Sequence, residues 1–257
     1  MRILMVGDVV GKTGRIFFAE QTAELRQIKN IDMVVVNGEN AAHGRGLTPQ
    51  IFDELIRGGA DVVTSGNHIW DNSNVMQIID AEPFLIRPAN YPEDTPGNGF
   101  CIYPVGRKKI GVINLAGRTF MPPVDCPFRA AEKILCQIKK DCDIILIDFH
   151  AEATSEKLAL AYHLDGQATA VVGTHTHVQT ADEKLLPKGT AYITDLGMVG
   201  AENSILGVAI EPVINRFMTG RPSRFEVAEG AGIYCALLIE LSDADNKVVK
   251  VERICIK

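Results

Sequence analysis

Met33-Val34-Val35-Val36-Asn37-Gly38-Glu39-Asn40 runs from four apolar residues straight into a glycine, a carboxylate and two side-chain amides. A short β-branched run of this kind reads as a strand buried on both faces. The polar residues that follow therefore stand at a strand end. The same layout recurs on either side of it. Ile3 to Val6 leads into Gly7-Asp8, Asp61 to Thr64 into Gly66-Asn67-His68, and Ile144 to Ile147 into Asp148-Phe149-His150. Ala170 to Val172 leads into His175-Thr176-His177 and, as a weaker instance, Thr190 to Thr194 leads into Asp195. Four of the six histidines lie in these blocks.

Helical spacing fills the intervals. Arg15 to Lys29 places Ile16, Ala19, Ala23 and Ile28 at roughly helical intervals, and Thr48-Pro49 opens a helix through Arg57 with Thr48 as N-cap. Ala130 to Lys140 and Thr154 to His163 are two further helices. Strand alternating with helix predicts parallel strands joined by right-handed crossovers. Glu82 to Gly99 is proline-rich and reads as an extended loop, and Phe100 to Val105 with Lys109 to Leu115 as two strands around Gly106-Arg107. Gly232 to Glu240 and Lys247 to Ile256 alternate as an antiparallel pair. The strand tally predicts an α/β fold with two sheets and helices outside. No repeat or linker divides residues 1–257, so a single domain is expected.

At 257 residues the chain is long enough to bury a sizeable core. A net charge of −6 argues against a broad nucleic-acid interface, though bound dications would reverse the local field for a small phosphorylated substrate. The six cysteines form no CxxC pair, and most read as small buried apolar residues of a reducing compartment. With no signal-peptide layout at the start and no membrane-length apolar run, the expectation is a cytoplasmic protein without membrane attachment.

Carboxylate oxygen, amide oxygen and neutral imidazole nitrogen, with no thiolate, suit manganese, iron(II) or zinc. Two such ions require a bridging ligand, and Glu39 is the candidate. Asp8 and His177 would hold one ion, and Asn67, His150 and His175 the other. If residues 175–177 are extended, His175 and His177 share a face and can address adjacent ions. Each residue alone has a plainer reading. Asp8 could cap a helix, Glu39-Asn40 and Asn67-His68 could be turns, and His150 a structural histidine. Five strand ends would then each need an unrelated reason.

The blocks Gly7-Asp8, Gly38-Glu39-Asn40, Gly66-Asn67-His68, His150 and Gly173-Thr174-His175-Thr176-His177 resemble those of the calcineurin-like metallophosphoesterases. Two departures mark a subgroup: Val10 stands where that pattern has a histidine, and Glu39 where it has an aspartate. Together with GDVVGKTGR (7–15), NGENAAHGRG (37–46), GNHIWD (66–71), HAEATSEK (150–157), GTHTHVQTADE (173–183) and TAYITDLGMVG (190–200), they resemble the bacterial YmdB-type branch over essentially the whole chain. The resemblance implies a four-layer αββα sandwich, two divalent metals at the strand ends and hydrolysis of cyclic nucleotides. It also implies Asn40 as a ligand compensating for Val10, His68 as general acid, and a homo-oligomer. An imidazole, titrating near pH ~6.5, suits protonation of a leaving alkoxide.

The expected chemistry is in-line attack on phosphorus by a hydroxide bridging two ions, with 2′,3′-cyclic mononucleotides the leading substrates. A phosphomonoesterase, an RNA nuclease and a non-catalytic sensor of a phosphorylated ligand are the alternatives. Asp71 could orient His68 or cap the following helix. Arg45, Arg118 and Lys157 are candidate phosphate contacts, His43 is a substrate-side or solvated histidine, and His163 is structural. Gly7 to Thr13 only approximates a Walker A loop, because its opening glycine would have to be residue 6, which is Val6. The segment 200–230, with Arg216, Arg221 and Arg224, could cover the site or form a subunit contact.

Overall fold

Two six-stranded sheets lie face to face in the computed structural model, which describes residues 1–257. The chain runs β1 (Arg2–Val9), α1 (Gly11–Lys29), β2 (Met33–Asn37), α2 (Pro49–Arg57) and β3 (Val62–Thr64). It continues with β4 (Phe100–Val105), β5 (Lys108–Ala116), α3 (Pro127–Ile138), β6 (Ile144–His150), α4 (Thr154–His163) and β7 (Ala170–Thr174). Then follow β8 (Lys184–Leu185), β9 (Ala191–Ile193), β10 (Met198–Ala201), α5 (Ile210–Thr219), β11 (Gly232–Leu241) and β12 (Val248–Ile256). The first sheet has the order β12-β11-β10-β1-β2-β3, with β11 also pairing β1; the second is β4-β5-β6-β7-β9-β8. Both mix parallel and antiparallel pairs.

The two-residue period of a strand makes four layers of this. Ile3, Met5, Met33, Val35 and Val62 of the first sheet meet Ile110, Val112, Leu146 and Val172 of the second in a core between the sheets. Their neighbours Leu4, Val6, Val34, Val36 and Val63 face outward onto Phe18 and Leu25 of α1 and Phe52 and Leu55 of α2. Ile113, Ile145, Ile147 and Val171 likewise cover Ile134, Leu135 and Leu160 of α3 and α4. The αββα sandwich is therefore present, and it explains why the strands read as unbroken apolar runs: both faces are buried. No helix is long and apolar enough to cross a membrane.

Thr48 caps α2, accepting from Ile51 N–H at 3.3 Å with Pro49 in the first turn, as expected. Helix α1 starts at Gly11, four residues before the expected Arg15, and its N-cap is Val10. The N-cap reading of Asp8 is thereby corrected. A side chain on Gly14 would strike the Val199 carbonyl 2.3 Å away, so α1 packs that closely on β10 only with glycine there. The proline-rich stretch is not wholly loop: Leu85 bridges Val63, Ile86 bridges Asn98, and both are fully buried. Segment 200–230 holds α5, an element its sequence does not announce.

Candidate metal centre

The two sheets bring different atoms to one point. From the first come Asp8 at the end of β1, Glu39 and Asn40 after β2, and Asn67 and His68 after β3. From the second come His150, the last residue of β6, and His175 and His177 after β7. Gly66 permits the meeting, because a Cβ there would lie 2.4 Å from His150 Nε2 and 2.5 Å from Glu39 Oε2.

Around His150 Nε2 stand Glu39 Oε1 at 3.0 Å, His175 Nδ1 at 3.0 Å and Asn67 Oδ1 at 3.1 Å. The second group comprises Asn40, whose amide lies 3.1 Å from His177 Nε2, and Asp8 Oδ1, 3.8 Å from that same nitrogen. Glu39 joins the two groups, since its Oε1 also accepts from Asn40 Nδ2 at 3.2 Å while its Oε2 takes the His68 backbone N–H at 2.8 Å. Asp8 Oδ2 accepts from His175 N–H at 3.1 Å, but Asp8 Oδ1 is buried with no hydrogen-bond partner.

Partners on the far side of each ring set the imidazole faces. His177 Nδ1 lies 3.0 Å from the Leu206 carbonyl, which only a donor can satisfy, leaving Nε2 bare toward Asp8. His150 Nδ1 lies 3.0 Å from Thr174 Oγ1, whose hydroxyl donates to Asp148 at 2.7 Å. With Nδ1 as donor, a neutral His150 meets three acceptors through an unprotonated Nε2. Such an array calls for a cation, and an orphaned buried carboxylate oxygen beside it calls for a second positive partner. The oxygen-and-imidazole set, without a cysteine, fits divalent Fe, Mn or Zn.

Protonation in the metal-free protein follows the same logic. Burial disfavours charge on His150, yet Glu39 and Asp8 override it and raise the imidazole to about 9. Burial would likewise raise Glu39, but His150 holds it at about 2. Burial pushes Asp8 up to about 6, and burial beside His150 pushes His175 down to about 3, which keeps its ring neutral.

His175 and His177 do not sit in an extended strand. β7 ends at Thr174, and the two histidines have φ of +101° and +63°. The shared-face expectation is therefore corrected: positive φ, not strand alternation, turns both rings inward. The loop is held in this strained form from both sheets, by the Asp8 bond and by Thr176 N–H donating to Asp195 Oδ2 at 3.0 Å. Asp195 also takes Gly197 N–H at 2.8 Å and the Lys157 ammonium at 2.7 Å, and both side chains of that ion pair are buried. Asp195 is thus a support, and the expectation of Lys157 as a phosphate contact is overturned.

A cavity of about 500 Å³ opens over this cluster, lined by Glu39, Asn40, Arg45, His68, His175 and His177 among others. Asp71 Oδ2 holds His68 Nδ1 at 2.8 Å, and the following 3₁₀ turn is capped by Asn72 instead, so the orienting role of Asp71 is the one observed. Arg118 is not in the lining, His43 is exposed, and His163 pairs with Glu132 at 2.8 Å away from the cluster. Sequence reasoning missed Glu152, 3.0 Å from His175 Nε2 and facing the cavity, although its position two residues beyond His150 was a signal.

Residues 4–254 match the family described as YmdB-like protein. A Bacillus subtilis (strain 168) protein named 2′,3′-cyclic-nucleotide 2′-phosphodiesterase is 52% identical over 256 residues, covering 100% of this chain and 97% of that one. A Mycoplasma pneumoniae protein named putative phosphatase/phosphodiesterase is 35% identical, covering 99% and 92%. Among solved structures, a hypothetical protein from Thermus thermophilus superposes with a TM-score of 0.94 at 41% identity, covering 100% of this chain and 99% of that one. A putative 5′-nucleotidase from Staphylococcus aureus, at 17% identity and a TM-score of 0.63 over 99% of this chain and 54% of its own, shares the fold alone. With the family matched over nearly its whole length and a full-length relative at 52% identity, this chain belongs to the YmdB-like family, on the calcineurin-like metallophosphoesterase fold.

Proposed function

We propose that the protein is a metal-dependent phosphoric diester hydrolase acting on 2′,3′-cyclic mononucleotides. The observation that carries the reading is the pair of acceptor groups joined at Glu39, one around His150 Nε2 and one around the unpartnered Asp8 Oδ1, beneath an open cavity. The 52% identical relative carries the name of that activity, which supports the choice of substrate.

Asp8, Asn40 and His177 would hold one divalent ion, Asn67, His150 and His175 the other, with Glu39 shared. Bound there, two such ions supply Lewis acidity toward a phosphate and an activated water at neutral pH. The chain's own residues do the rest. Asp71 Oδ2, 2.8 Å from His68 Nδ1, orients the ring, and a proton on the opposite nitrogen would pass to the leaving ribose oxygen. In a cyclic phosphate that oxygen stays tethered to the sugar, so bond cleavage releases one product. Arg45 and Arg216 line the same cavity and offset the anionic charge of a phosphate brought next to Glu39 and Glu152.

The test is hydrolysis of 2′,3′-cyclic AMP by protein stripped of metal and then given Mn²⁺ or Fe²⁺. Restored turnover is expected, lost in Glu39→Gln and reduced on the order of 100-fold or more in His68→Ala with metal content unchanged. Tight metal binding with no turnover would instead make the protein a sensor of a phosphorylated ligand.

A further inference from the structure

The cavity has a second half that the metal chemistry does not use. Its lining also includes the apolar side chains of Leu206, Val208, Val213, Phe217 and Phe225, with the Arg216 guanidinium 5.2 Å from the Phe225 ring. Phe217 is 84% exposed, an aromatic face left to water at the edge of a concave site. Such exposure is costly for so large an apolar side chain unless something stacks on it. Phe225, 36% exposed, is backed by the arginine and so is held in place.

This wall is tied to the metal end. Leu206, whose carbonyl takes His177 Nδ1 at 3.0 Å, has φ of +55° and is followed by Gly207, whose N–H donates to Ser204 Oγ at 2.9 Å. The position of Leu206 beside the cluster is therefore set by the backbone. At about 500 Å³ the cavity lies within the ~300–1,000 Å³ range of sites that enclose small ligands. A phosphate at the metal end leaves the apolar end for whatever the phosphate carries.

Resting on the proposed function, we infer that the wall built by Phe217, Phe225 and Leu206 is a nucleobase subsite that binds by stacking. The cavity's carboxylates and side-chain amide, Glu39, Glu152 and Asn40, are each held within 3.1 Å of an imidazole of the cluster, and the polar group seen against the aromatic wall is Arg216. The subsite therefore does not read the Watson–Crick edge. It accepts all four bases, and favours purines over pyrimidines only by their larger face.

Calorimetric titration of the Mn²⁺-loaded protein with adenosine 3′-monophosphate and with glycerol phosphate tests this. The nucleotide is expected to bind roughly ten-fold tighter, the order of effect for one base on an aromatic ring. Phe217→Ala and Phe225→Ala should each shrink that ratio, and the double variant should bring it near one, while Phe225→Trp restores it. Equal affinities in the unaltered protein would overturn the inference, as would a ratio that survives the double variant. So would a Phe217→Ala change that dissociates an oligomer with equal loss for both ligands, marking the ring as a subunit contact. Turnover of 2′,3′-cyclic AMP on the same samples keeps the two readings apart. Base-dependent binding without turnover would sink the hydrolase and leave the subsite; turnover with no base preference would do the reverse.

Discussion

Asp8 and Asp195 are both fully buried carboxylates at strand ends, one in each sheet, and they differ in how their oxygens are used. Asp195 has every demand met from within the chain: the Lys157 ammonium and two backbone N–H groups. Asp8 has one backbone N–H on Oδ2 and nothing on Oδ1. A buried polar atom without a partner is costly, and a carboxylate oxygen so placed beside a cluster of imidazoles is one that a cation would satisfy. On the proposed function, the difference separates the working acid from the supporting one, which sequence position alone does not.

Exchanging the two carboxylates' fates is the strongest way to break this comparison. Asp8→Asn should lower metal-restored turnover roughly 1,000-fold, since a dication's ligand is lost, yet leave the metal-stripped protein as stable as before or slightly more so. Lys157→Met should do the opposite to the stripped protein. It strands a buried charge, at a cost of about 3–5 kcal/mol, on the order of 10 °C in Tm. Scanning calorimetry with and without metal decides it; a large Tm loss in Asp8→Asn would make Asp8 another structural acid.

A smaller effect sharpens the comparison by probing how the supporting layer reaches the working one. Thr174→Val removes the hydroxyl that links Asp148 to His150 Nδ1. Metal affinity, read by competition with a chelator, should fall about 10- to 100-fold. Unchanged affinity would mean that the Thr174 hydroxyl does not orient the ring.

A pH effect confined to the metal-stripped protein comes last. His150 is raised to about 9 by Glu39 and Asp8 against its burial, so its contribution is complete below ~6.5 and lost as pH climbs through 9. Glu39, held near 2 by His150 against its own burial, contributes fully above ~4.5 and fails only in strong acid. Asp8, raised to about 6 by burial, withdraws stability as it ionises. Tm should therefore decline from pH 6 to 9 without metal and hold steady with it. A decline of equal slope in both would place its origin outside the cluster.

Much of this was legible in the chain because each buried strand is an unbroken apolar run, and a strand's end fixes where its next polar residue must stand. Asp8, Glu39, Asn67, His150, His175 and His177 were found by that logic, and the two sheets brought them together. What escaped it depends on partners remote in sequence. Lys157 reads as a surface cation until β9 delivers Asp195 beneath it. The inward turn of His175 and His177 arises from positive φ values, which neither residue type advertises. Helix α5 has one buried residue, Val213, too thin a core stripe to announce a helix.

The division of ligand atoms between the sheets also sets a timetable. Asp8, Glu39, Asn40 and Asn67 leave the ribosome early, carrying only oxygen and amide donors, whereas the imidazoles wait for residues 150 to 177. β1 has β2 on one edge early, but its other edge stays open until β10 and β11 arrive, pairing Arg2 with Glu240 across almost the whole chain. Under the proposed ligand set, a nascent chain therefore lacks its imidazole donors through much of its synthesis, and the strand that carries Asp8 gains its last neighbours only near the end.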